Sequence, residues 1–304
     1  MGGRLIRRTS PSILIIGGSP AEICKSEAPS LALKANNSVI SMLFSLNPCG
    51  NKWSVKLLVK MPLNSQQPDK YMPKIENNID DVSKRIDQSA AEYGRDPSEI
   101  LLLAVSKTRS VEHIRQAMDA GLTHFAENYL QEALDKITEL KAEDLCWHFI
   151  GPLQSNKTRS AAENFSWVHS VDRLKIATRL SDQRPESLGP LNICLQVNID
   201  NEPSKSGFHA DGLVPIALQI AQLPNLRLRG LMAIPRAENS FQEQQAAFQK
   251  LAELRQQINQ SLDNSEKLDT LSMGMSGDLE AAISQGSTMV RVGTDIFGKR
   301  EQQQ

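Results

Sequence analysis

The chain has 304 residues, 40% of them hydrophobic and 23% charged, and its 34 Lys and Arg against 35 Asp and Glu leave a formal net charge of −1. That composition excludes collagen-like, mucin-like and wholly disordered chains, and the near-neutral balance gives no sequence-independent attraction to nucleic acid or to an anionic membrane. Apolar runs such as Ile13 to Ile16 fall far short of the roughly 20 residues of a membrane span.

The first 71 residues carry nine Lys and Arg against three Asp and Glu, so the remainder is acidic. They are rich in Ser, Pro, Asn and Gly, lack a sustained periodic pattern, and place Arg4, Arg7 and Arg8 ahead of the short apolar patch. Four readings stay open: an organelle-targeting segment, a disordered tail, a folded domain, or upstream sequence that is not natively translated, with Met72 the true start. From Met72 the pattern is regular. Ile75, Ile79, Val82, Ile86, Ala90 and Tyr93 recur at spacings of three and four, which predicts an amphipathic helix ending at Gly94.

Apolar or β-branched runs then begin near Leu101, Thr123, Cys146, Trp167, Leu191, Leu226, Thr270 and Thr288, eight strand candidates. Between them lie helical patterns over Val111 to Ala120, Tyr129 to Leu140, Lys157 to Glu163, Arg173 to Asp182, Asp211 to Leu223, Phe241 to Leu262 and Leu279 to Gln285. Strict alternation implies parallel pairing, and continuous runs such as Leu101 to Val105 suit strands covered on both faces. The economical closure is a single α/β domain over residues 72–304, a (β/α)8 TIM-type barrel with an amphipathic N-terminal helix, although periodicity alone does not exclude an open doubly wound sheet. Cys24, Cys49, Cys146 and Cys194 are scattered without a Cys-x-x-Cys pair, and Cys194 reads as a buried small hydrophobe.

In a barrel, function sits just beyond the C-terminal ends of the strands. The first run ends in Ala104-Val105-Ser106-Lys107-Thr108, where an amine at the mouth is a candidate Schiff-base nucleophile, although a solvated loop lysine satisfies the position alone. The seventh run leads into Ser272-Met273-Gly274-Met275-Ser276-Gly277-Asp278 and the eighth into Arg291-Val292-Gly293-Thr294. Glycines and hydroxyls before helices in the last two loops suit a phosphate, and together with the lysine they point to a phosphorylated carbonyl cofactor. Arg291 can then hydrogen-bond the pyridine nitrogen of pyridoxal phosphate.

Longer motifs sharpen this. Leu102 to Thr108, Glu127-Asn128-Tyr129, Trp147 to Lys157, Ser204-Lys205-Ser206-Gly207, Arg229 to Ile234, Ser272 to Ser276 and Met289 to Thr294 closely resemble the pyridoxal phosphate homeostasis proteins, the YggS/PROSC family. The resemblance spans residues 72 to about 300. It implies a barrel like the N-terminal domain of alanine racemase, pyridoxal 5'-phosphate bound as a lysine aldimine, and buffering or delivery of the cofactor without known turnover. Carried over residue by residue, Lys107 matches the aldimine lysine and Arg291 the partner of the pyridine nitrogen. Ser272, Ser276, Gly293 and Thr294 match the phosphate cradle, and Asn128 and His148 match pocket-lining positions. Ala126 departs from the glycine usual before Glu127-Asn128-Tyr129.

The scattered cysteines favour a reducing compartment, so a cytoplasmic location is expected; composition gives no nucleic-acid or membrane partner, and the expected partners are the cofactor and pyridoxal-phosphate-dependent apoenzymes as its recipients, with the chain a monomer or weak homodimer. The competing readings are a pyridoxal-phosphate-dependent amino-acid racemase and a regulatory module. A racemase needs acid/base groups on both faces of the substrate carbon, and of Tyr71, Tyr93 and Tyr129 only Tyr129 lies beyond the first strand. His113, His124, His169 and His209 show no metal-site spacing along the chain and read as surface or core residues. Lys157, Arg159 and Lys205 read as a solvated face, with a basic rim at the pocket mouth as the alternative.

Overall fold

The computed structural model describes residues 30–35, 38–46, 53–59, 75–236 and 240–299, the first three segments as backbone only. The chain divides into two compact units, Met1–Met72 and Pro73–Gln304. In the first, β1 (Ser30–Ala35), β2 (Ser38–Leu46) and β3 (Trp53–Val59) form an antiparallel sheet in that order. The remainder of the extension expected over residues 1–71 lies outside the described residues.

The second unit opens with α1 (Ile75–Glu92), which buries Ile75, Ile79, Val82, Ile86 and Ala90, the expected stripe, and leaves Tyr93 exposed beyond its end. Eight parallel strands come next and close on themselves: β4 (Leu101–Val105), β5 (His124–Glu127), β6 (Cys146–Phe149), β7 (Trp167–Val171), β8 (Leu191–Gln196), β9 (Leu226–Met232), β10 (Thr270–Ser272) and β11 (Met289–Val292). The seam pairs β11 with β4, Met289 opposite Leu101 and Arg291 opposite Leu103, so the closed (β/α)8 barrel replaces the open-sheet alternative.

Between the strands run α2 (Val111–Asp119), α3 (Leu130–Glu139), α4 (Thr158–Asn164), α5 (Leu174–Gln183), α6 (Leu213–Ala221), α7 (Phe241–Gln260) and α8 (Leu279–Ser284), each within two residues of its expected bounds. A single turn, α9 (Thr294–Phe297), follows β11 and has no counterpart among the expected helices. Two of the helices start at side-chain caps. Ser110 accepts from the His113 N–H at the head of α2, and Ser240 and Glu243 form a reciprocal capping box on α7.

Two cores result. The outer one lies between strands and helices and contains Phe125, Phe149, Phe165, Ile176, Phe248, Leu251 and Ile258. The inner one fills the barrel with Leu103, Val105, Ala126, Trp167, Cys194, Met232 and Met289. Cys194 is fully buried, and burial pushes its thiol up to about 12. Among the described residues no helix is long and apolar enough to cross a membrane.

Candidate functional site

At the C-terminal ends of the strands lies a cavity of about 260 Å³ lined by Lys107, Asn128, Ser276, Gly277, Arg291, Gly293 and Thr294, with Val105, Ile150, Ile234 and Met275 as its apolar walls. It gathers six of the eight expected site residues. A second cavity of about 340 Å³ shares Asn128, Ile150 and Ile234 with it and adds Gln196, Asn198, Lys205 and Ser206. Lys205, which lines only this second cavity, also pairs with Glu202 at 2.7 Å. Arg159 instead pairs along its own helix with Glu163.

The lysine is held by its neighbours. Val105 ends β4, and the turn Ser106-Lys107-Thr108 carries the amine to the cavity. Below it the buried Glu127 Oε1 accepts from Ser106 Oγ at 2.6 Å and from Lys136 Nζ at 2.8 Å. Lys136 also donates to the Ser106 carbonyl at 2.8 Å and to Glu132 Oε1 at 2.6 Å, and that same carboxylate oxygen accepts the Thr108 N–H at 2.5 Å. Burial pushes the Glu127 carboxyl up, and Lys136 and Ser106 oppose that shift. The ionic network therefore clamps the turn on both sides of Lys107. Thr108 stands at φ 62, a conformation costly for a β-branched residue and of the kind found where a site overrides local preference.

Arg291 enters from β11. Only 4% exposed, it donates to the Ser272 carbonyl at 2.5 Å, to Ser272 Oγ at 2.9 Å and to the Ala233 carbonyl at 3.1 Å. Desolvation lowers it to about 10, which leaves it a cation at neutral pH. The loop after β10 is shaped by Gly274 at φ +95, where a Cβ would lie 2.6 Å from that of Ala282. Asp278 Oδ1 accepts the Met275 N–H at 2.5 Å, and Arg85 of α1 donates to the Ser276 carbonyl at 3.0 Å while pairing with Glu280 and Asp295. Arg85 thus ties both glycine loops to one helix. The first N–H groups of α9, at Thr294 and Asp295, have no intrahelical partner, and a Cβ on Gly277 would meet nothing within 4 Å. Backbone there is open to an anion.

Two expected site residues lie elsewhere. His148 and Ser272 are fully buried inside the barrel and line neither cavity. They belong to a polar column: Arg291 donates to Ser272 Oγ, which is 2.8 Å from His169 Nδ1; His169 Nε2 is 3.0 Å from His148 Nδ1; His148 Nε2 is 3.0 Å from His124 Nδ1. Burial holds His148 well below 6.5 and His169 at about 3, with the Arg291 charge adding to the shift of His169, so both rings are neutral. Ser272 thus supports the site by orienting Arg291.

Sequence reasoning passed over Glu127, Glu132, Lys136 and Arg85. A weak signal existed in the Glu132 and Lys136 pair, four apart on one helix. Arg85 gave none, because its partners Glu280 and Asp295 lie 195 and 210 residues away in the chain.

Known proteins share both the sequence and the fold. Residues 74–301 match the family model described as alanine racemase, N-terminal domain. The chain is 57% identical over 230 residues to the pyridoxal phosphate homeostasis protein of Pseudomonas aeruginosa, covering 76% of this chain and 97% of that one. It is 51% identical over 233 residues to the protein of the same name from Escherichia coli K12, covering 76% and 98%. Among solved structures it resembles PipY of Synechococcus elongatus with pyridoxal phosphate bound, at TM-score 0.62 and 38% identity, covering 74% of this chain and all of that one. Alanine racemase of Streptomyces coelicolor, at TM-score 0.57 and 18% identity, shares the fold.

Proposed function

The chain belongs to the pyridoxal phosphate homeostasis family, and from that membership we propose that it binds pyridoxal 5'-phosphate at Lys107 and holds it for delivery without catalytic turnover. The observation that carries the reading is the donor set of the 260 Å³ cavity, an amine, a cation and open backbone at one apolar-walled mouth. The fit has an independent sign. Asn128 Oδ1 is buried without a hydrogen-bond partner, an acceptor that a bound ligand would satisfy.

When bound, the cofactor supplies an aldehyde that condenses with an amine and a pyridine ring that withdraws electrons. The chain's own residues determine how far that chemistry can run. Ser276, Gly277, Gly293 and Thr294 would hold its phosphate, and Val105, Ile150, Ile234 and Met275 would exclude water from its ring. A guanidinium has donors only, so Arg291 facing the ring nitrogen disfavours protonation there and weakens the ring as an electron sink. Tyr129, the remaining tyrosine available as a second base, is 54% exposed and absent from the residues lining the cavity. Both points support holding over racemisation. The same reading assigns the function to the barrel unit, a cytoplasmic location, a monomer or weak homodimer, and pyridoxal-phosphate-dependent apoenzymes as recipients.

Borohydride reduction and peptide mapping test the assignment. The trapped adduct should sit on Lys107 and vanish in Lys107→Ala, with part of the non-covalent affinity retained through the phosphate cradle. An adduct mainly on Lys205 overturns it. Lys107-dependent incorporation of solvent deuterium at the α-carbon of alanine would install the racemase reading instead.

A further inference from the structure

The polar column has a second end. His124 begins β5 and Cys146 begins β6, directly opposite each other in the parallel register, and Ala126 faces His148 two residues further on. Alternation therefore turns His124, Cys146 and His148 to the barrel interior at its N-terminal end, remote along the strands from the mouth that carries Lys107. Their ligand atoms lie within 4.8 Å of one another, with His124 Nδ1 3.0 Å and Cys146 Sγ 3.4 Å from His148 Nε2. The linear sequence hides this cluster because its members come from two strands.

We propose that His124, Cys146 and His148 form a binding site for a thiophilic divalent cation of the zinc type, with a fourth position left to water. Zn–N bonds of about 2.0–2.1 Å and Zn–S bonds of about 2.3 Å make tetrahedral edges of about 3.3–3.6 Å, so the two contacts to His148 need shifts of only a few tenths of an ångström. The donors are two imidazoles and a sulfur with no carboxylate among them, a set that selects zinc over magnesium or calcium.

The surroundings are those of a supported ligand set. His148 is fixed from behind by His169, which is in turn held by Ser272, and Trp167 stacks on its ring at 5.5 Å and 14°. A ligating histidine is commonly held through its other ring nitrogen, and His169 does this for His148. His124 and Cys146 are half-buried, which gives the ion an entry and a water a place. On binding, the Cys146 S–H bond breaks, the thiolate forms the S–metal bond and its proton leaves to solvent. The ring proton of His148 then resides on Nδ1, toward His169, and its Nε2 lone pair faces the metal.

Cobalt(II) reports this directly. Titrated into the metal-free full chain, prepared without a polyhistidine tag, it should give thiolate-to-cobalt charge-transfer absorption in the near ultraviolet and strong tetrahedral d–d bands in the visible. Both should saturate at one equivalent and be bleached by zinc. Cys146→Ser should abolish the charge-transfer band, and His124→Ala should weaken zinc by at least about tenfold, the loss that even an outer partner of a ligand causes. Cys194→Ser should leave the spectrum unchanged. Charge transfer that survives Cys146→Ser, or wild-type protein that gives only the weak spectrum of octahedral cobalt, overturns the site.

Discussion

The outer and inner cores of the barrel are built on opposite rules. Outside the strands, Phe125, Phe149, Phe165 and Phe248 interlock with helix aliphatics in a continuous apolar layer. Inside, a smaller apolar lining surrounds His148, His169, Ser272 and Arg291, which are buried and hydrogen-bonded in series. Apolar burial stabilises in proportion to area, whereas a buried polar column must recover its desolvation cost through its own hydrogen bonds. The outer core therefore carries the fold, and the inner one fixes the orientation of Arg291 at the mouth.

That division predicts a large effect with little functional consequence. Phe248 is fully buried on α7, away from the cavity lining, so Phe248→Ala should destabilise the barrel by about 3–5 kcal/mol. Urea unfolding measures that loss, and cofactor affinity under native conditions should stay within about twofold. Affinity falling in step with stability would show that the two cores are not separable.

The inner core should reveal itself by pH. His148 and His169 are neutral in the fold with values below the ordinary 6.5, so unfolding takes up protons as pH falls beneath 6.5. Stability is then present above that value and is lost toward acid, over a window that for His169 extends down to about 3. A ring kept neutral by the fold costs up to about 1.4 kcal/mol per pH unit below 6.5, so His169 should remove about 2 kcal/mol between pH 6.5 and 5 in the metal-free chain, with His148 adding in the same direction and the raised carboxyls of Glu127 and Asp278 opposing it. Denaturant unfolding at half-unit intervals measures the slope. A flat profile would place charged or solvated imidazoles in the barrel.

The same contrast explains which parts of the molecule are legible in the sequence. Helix stripes such as Phe248, Leu251, Leu254 and Ile258 repeat along the chain and apolar runs mark the strands between them, so the eightfold strand and helix order can be read directly, while the closed barrel and the roles of Lys107, Ser276, Arg291 and Thr294 need the longer motifs as well. The column cannot be read this way. Inward residues of doubly buried strands show no polar face against which to count, and His124, Cys146 and His148 meet only once β5 and β6 are in register. The motif around His148 places it among the pocket residues because its neighbours are there, yet the alternation of β6 turns it into the column. The single turn α9 spans barely more than one helical period, so no spacing repeats within it to leave a pattern.

The smallest predicted effect lies at the mouth, outside both cores. Thr108 holds φ 62 next to Lys107, and its N–H is fastened to Glu132, which Lys136 joins to Glu127. A left-handed threonine costs roughly 1–2 kcal/mol, and a glycine there relieves that strain while losing about 0.5–1 kcal/mol to its freer unfolded state. Thr108→Gly should therefore raise stability by up to about 1.5 kcal/mol, visible as a small rise in Tm. The turn would also lose the side chain that restricts it, so Lys107 should be less firmly aimed and borohydride trapping slower, with unchanged site and stoichiometry. A loss of stability would mean that the threonine conformation carries no strain and that the Glu127, Glu132 and Lys136 clamp alone sets the position of the lysine.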